Sequence, residues 1–194
     1  LSDHYLNALL PQDPRWAAAL SEAEDFLSWL QDLYANERDQ LEDYNEDQLR
    51  DHWFTPILQR LGHVLEREAG VPGLGEGIKF PDYVFFPDEA TRQEAVGARR
   101  TQEYAAEALA VGEVKRWDTP LGKKRRGGGP RFEAQNPSYQ IDYYVRTTEM
   151  DWGILSNGRH WRLVHKESSQ RLTIYYEVDL VDLLQRGDAG PMLY

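Results

Sequence analysis

Apolar positions in this chain change period along its length, and the changes mark out elements. Over 14–36, Trp16, Leu20, Phe26, Leu27, Leu30 and Leu33 recur near helical spacing, which predicts an amphipathic helix. Asp13 as N-cap and Pro14 in the first turn suit its start. A second helix is predicted from near Asn45 to Glu68, with Leu49, Trp53, Ile57, Leu58, Leu61 and Leu65 on one side and Pro56 bending or breaking it. The turn-rich run 70–77 is glycine-laden but lacks a following Gly-Lys-Ser/Thr, so it does not read as a phosphate cradle.

Beyond it the period shortens. Asp82–Phe86 reads as a strand, Glu89–Leu109 as an inserted helix, and Ala110–Lys115 as a central strand apolar enough to be buried on both faces. Trp117–Arg131 reads as a loop around Gly127–Gly129. Asn136 and Pro137 then open a helix running to about Thr148. Trp152–Ser156 and His160–Lys166 form a hairpin around Asn157-Gly158, Leu172–Tyr176 a further strand, and Val178–Leu184 a closing helix. This order predicts an α/β architecture with a mixed sheet flanked by helices.

Chemistry enters where acids interrupt the apolar β runs. Alternate side chains of a strand share a face, so Glu113 and Lys115 project together. If Asp82 lies on the neighbouring strand, its carboxylate meets Glu113 beside an ammonium. Two carboxylates suit Mg²⁺, which leaves its other positions to water and phosphate. A carboxylate in an apolar strand is costly unless paired; an ion pair with Lys115 is the structural alternative to a metal. For Asp82 the alternative is a strand-start acid.

The pair Pro81-Asp82 followed by Glu113-x-Lys115 resembles the PD-(D/E)xK nuclease signature. Around it, the runs 113–121, 136–144 and 152–163 follow in an order similar to the N-terminal endonuclease domain of type IIG restriction-modification enzymes and to type I restriction subunit nuclease domains. Glu46, ten residues before Pro56, resembles the first-helix glutamate of these families, and Gln140 with Tyr144 resembles their QxxxY element. The resemblance implies a restriction-endonuclease-like domain over 45–194 with an acidic helical extension over 1–44. It implies a bacterial, cytoplasmic, Mg²⁺-dependent DNA endonuclease for restriction-modification or phage defence, with Mn²⁺ as a substitute. Asp82, Glu113 and the Val114 carbonyl would hold the metal, and Lys115, Glu46, Gln140 and Tyr144 would complete the catalytic set. Double-stranded DNA is the implied partner, with methyltransferase and target-recognition modules in a longer polypeptide. The rival readings are a catalytically silent nuclease-like fold that binds DNA or protein, and an interaction domain docking through its acidic helices.

Composition adjusts this picture. A length of 194 residues suffices for a sizeable core, and the absence of cysteine removes disulfides and thiolate zinc sites. No apolar run reaches membrane-spanning length, and a start at Leu1 suggests part of something longer. The net charge of −11 opposes DNA binding, because phosphate neutralisation dominates nucleic-acid affinity. Its distribution is uneven: acids crowd the first fifty residues, whereas Lys115, Arg116, Lys123, Lys124, Arg125, Arg126 and Arg131 face only Asp118. Arg116, Lys123, Lys124, Arg125, Arg126 and Arg131 are therefore the expected DNA contacts, a solvated basic loop being the alternative. The five histidines show no metal-ligand spacing, and Trp117 is expected to pack rather than stack.

Overall fold

A computed structural model describes residues 8–75, 80–122 and 136–187. A 3-10 turn (Leu10–Gln12) leads into helix α1 (Pro14–Glu37), whose N-cap Asp13 accepts a hydrogen bond from the Arg15 N–H. A second helical stretch runs as α2 (Glu46–Leu49), a π-helical turn (Arg50–Phe54) and α3 (Thr55–Arg60). The π turn answers the expected break at Pro56. Proline has no N–H and its ring crowds the carbonyl four residues back; widening the preceding turn relieves both without interrupting the helix.

The rest of the predicted second helix is corrected. It stops at Leu61, half exposed, and Gly62 adopts a left-handed φ of 82°. Residues Val64–Arg67 are instead strand β1. The chain continues through β2 (Tyr83–Phe86), α4 (Glu89–Val96), α5 (Gln102–Glu107), β3 (Ala110–Val114), α6 (Pro137–Thr148), β4 (Trp152–Ser156) and β5 (His160–His165). A short α7 (Lys166–Ser169), β6 (Tyr176–Asp179) and α8 (Leu180–Arg186) complete it. The inserted helix is thus two helices, and the last strand and helix begin later than the sequence suggests.

The six strands form one mixed sheet in chain order, antiparallel throughout except for the parallel β3–β4 pair. Helix α6 makes the crossover between β3 and β4. The protein is therefore α/β, with helices on both sheet faces and an N-terminal helix. One face carries Tyr83, Phe85, Ala110 and Val114 and packs against α1, the α2–α3 stretch and α8 through Leu27, Leu30, Trp53, Phe54 and Leu183. The other carries Val84, Phe86, Val111, Leu155 and Val164 and packs against α6 and α5 through Ile141, Val145 and Tyr104. Gly112 pairs with Tyr83 of β2, and a Cβ there would stand 3.0 Å from Phe85 and 3.1 Å from Tyr83, so a larger residue needs those side chains to give way. No helix among the described residues is long and apolar enough to cross a membrane.

Candidate active site at the β2–β3 edge

Strand alternation puts Glu113 on the face of Val111 and Leu155, shared with α6, and Lys115 follows β3 in the same register, while Asp82 stands at the sheet edge just before β2. Lys115 Nζ donates to Glu113 Oε1 at 2.5 Å, with both side chains over nine-tenths buried. Asp82 stands just before β2 and turns its carboxylate onto the end of β3, where Oδ2 accepts from the Val114 N–H at 2.8 Å. The N–H and C=O of a strand residue point to the same side, so the Val114 carbonyl also faces the Asp82 edge. Asp82, Glu113, Val114 and Lys115 are thus brought together.

Burial raises the Glu113 carboxyl to about 8, with the charge of Asp82 adding to the rise and Lys115 opposing it. Burial also raises Asp82, against the Val114 N–H, Arg50 and Lys115. Lys115 rises despite its burial because Glu113 and the other acids hold its charge, so it acts here as a cation rather than a base. Burial is the main cause of both rises, and the oxygen donors suit a hard divalent ion. Among the described residues, no three of His, Asp and Glu gather to hold one metal ion. The acid set is a pair, within the one or two carboxylates usual for Mg²⁺.

Glu46, the first residue of α2, is half-buried, and its charge is felt at Asp82, Glu113 and Lys115. Gln140 and Tyr144 lie on α6, each only 1% exposed, with Tyr144 inside the apolar core beside Val111 and Leu155. Helix α6 leads back to the start of β4, so its N-terminal end, with Gln140, lies towards the carboxylate end of β3. Arg116 is exposed and its Nε donates to the Tyr44 carbonyl at 3.3 Å. Lys123, Lys124, Arg125, Arg126 and Arg131 lie outside the described residues.

Arg50 was not anticipated. It opens the π turn, is 5% exposed, and donates from Nη1 to Asp82 Oδ1 at 2.6 Å. The same Nη1 lies 2.9 Å from Glu68 Oε1, and Nη2 pairs with Asp47. Its available signal was position: Arg50 sits on the buried side of a helix between Leu49 and Trp53, where an arginine demands a partner.

The carboxylate end of β3 is supported by the β4–β5 turn. Trp53 Nε1 and Trp161 Nε1 both donate to the Gly158 carbonyl at 3.0 Å, and Asn157 Nδ2 donates to the Thr119 carbonyl at 2.9 Å. Trp117 packs edge-on against Trp53, as expected of a core tryptophan. Comparison with protein-family models, with curated proteins and with solved structures gives no match for this chain.

Proposed function

We propose that this chain is a divalent-metal-dependent DNA endonuclease domain of a bacterial restriction-modification or phage-defence enzyme. One observation carries the reading: a buried carboxylate, Glu113, and a half-buried one, Asp82, meet at adjacent strand ends beside a buried charged lysine, Lys115. Asp82, Glu113 and the Val114 carbonyl would hold Mg²⁺ or Mn²⁺. A bound divalent ion would polarise the scissile phosphate and ease ionisation of water. Lys115 orients that water and offsets the negative charge that builds on the phosphate during attack. Arg116 and the basic run that follows it would contact duplex DNA, with methyltransferase and target-recognition modules of a longer polypeptide choosing the sequence.

The rival reading, a nuclease-like fold that binds without cutting, also has an observation in its favour. Each acid already owns an internal cation, Lys115 for Glu113 and Arg50 for Asp82, as in a structural ion-pair network. Glu113→Ala separates the two. Under the nuclease reading it leaves duplex binding by gel shift intact and abolishes cutting. Cutting at the wild-type rate by a folded Glu113→Ala protein would remove Glu113 from the chemistry.

A further inference from the structure

Arg50 is a buried cation whose partners are unequal. Asp47 and Glu68 are 73% and 64% exposed at the side chain, so water already serves them. Asp82 is 18% exposed and has Arg50 on Oδ1 and the Val114 N–H on Oδ2. The Arg50 Nε is buried with no hydrogen-bond partner among the described residues. A buried donor left unused is costly, and a guanidinium offers a planar fork of donors matched to phosphate. The π turn carries Arg50, and its Nη1 reaches the Asp82 carboxylate at 2.6 Å.

We propose that Arg50 is the residue that couples cation entry to substrate. It rests on the reading of Asp82 and Glu113 as metal ligands. In the free protein the guanidinium stands at Asp82 Oδ1, where a divalent ion would bind, and so holds the carboxylate in place while keeping cation affinity low. Guanidinium and divalent ion repel at one oxygen. When the ion takes Asp82, Arg50 is released, leaves the exposed Asp47 and turns its Nε–Nη2 edge, with the unused Nε, onto the substrate phosphodiester. The ion and the phosphate therefore bind together better than either binds alone. Arg50 is a positioning residue for the ligand set and, with DNA present, a phosphate contact.

Binding of Mn²⁺ alone to the full chain, followed by loss of the free-ion paramagnetic resonance signal, tests this without reference to activity. Wild type, Arg50→Gln, Arg50→Lys and Glu113→Gln are titrated, with folding checked by circular dichroism. The expected result is that Arg50→Gln binds Mn²⁺ about tenfold more tightly than wild type, as removal of a neighbouring cation requires. Arg50→Lys falls between them, because an ammonium bridges fewer carboxylates, and Glu113→Gln weakens binding. Affinity in folded Arg50→Gln equal to or below that of wild type, with Glu113→Gln still weakened, overturns the role of Arg50 and leaves the metal site standing. No Mn²⁺ binding by either wild type or Arg50→Gln overturns the metal reading and the coupling with it. Should Arg50→Gln not fold, Arg50→Lys decides in the same way, tighter binding supporting the role and unchanged or weaker binding refuting it.

Discussion

Glu113 sits in a strand whose every residue is buried, and burial with the nearby Asp82 charge works against its ionised form. Sites that crowd like charges out of water give up stability for function. Glu113→Gln keeps a partner for Lys115 and removes one of the crowded charges. In EDTA at neutral pH it should stabilise the protein by about 1–2 kcal/mol, measured by urea unfolding. Added Mg²⁺ should stabilise wild type and not the variant; a destabilised Glu113→Gln would mean the carboxylate serves the fold. Asp82, Glu113 and Lys115 were legible in the sequence because each interrupts or borders an apolar β run. Arg50 was not, since the residue it serves lies on another element, and helical periodicity says nothing of such long-range partners.

Elements join through a few polar anchors. Asp179 closes β6, accepts from the Val181 and Asp182 N–H groups at 3.1 Å, and receives Arg159 Nε at 3.0 Å and Nη2 at 2.9 Å. Burial raises this carboxyl, but the Arg159 hydrogen bonds and the cap outweigh it and hold it below the usual range. A depressed carboxylate adds stability above its unfolded pKa, and that stability is lost as pH falls through the folded value. Asp179→Asn keeps the cap and loses the ion pair, so it should cost about 1 kcal/mol at pH 7 and flatten the acid limb of a stability–pH profile. An unchanged acid limb would show that the pair is not felt in solution.

Gly158 is the second anchor: its φ is 86°, and an added Cβ would stand 2.5 Å from the Trp117 ring. Gly158→Ala should cost about 2–4 kcal/mol by thermal or urea unfolding. A loss below about 0.5 kcal/mol would mean the turn is loosely held. The Asn157-Gly158 hairpin and the helix opened by Asn136-Pro137 were legible because turn and cap chemistry are local. Strand β1 was hidden because Leu65 continued the apparent helical stripe, while Gly62 was the stop signal. The inserted helix divides after Gly97, where Arg100 takes φ 68° and its N–H bonds the Gly70 carbonyl at 2.8 Å, a tie invisible in local periodicity. The last strand starts at Tyr176, opposite Leu163, because pairing with β5 rather than composition sets its register.

At the scale of the molecule, the site draws on groups from both sides of the sheet. Acidic α1 packs on one face, Glu113 and Lys115 project from the other, and Asp82 stands at the edge, where Arg50 reaches it. With a net charge of −11, affinity for a polyanion depends on local cations such as Arg116, and it should fall steeply with salt. The mixed sheet and flanking helices followed from the order of hydrophobic periods. The proposed site was read from polar residues that break those periods, and the internal cations at the acids required the fold. The most direct measurement is conversion of supercoiled plasmid in Mg²⁺ against EDTA by the longest polypeptide that carries this chain, beside Glu113→Ala and Lys115→Ala. The account predicts nicked or linear product only with the metal and only from wild type. Absence of cutting by folded wild type across modified and unmodified DNA, or cutting that survives both substitutions, would contradict it.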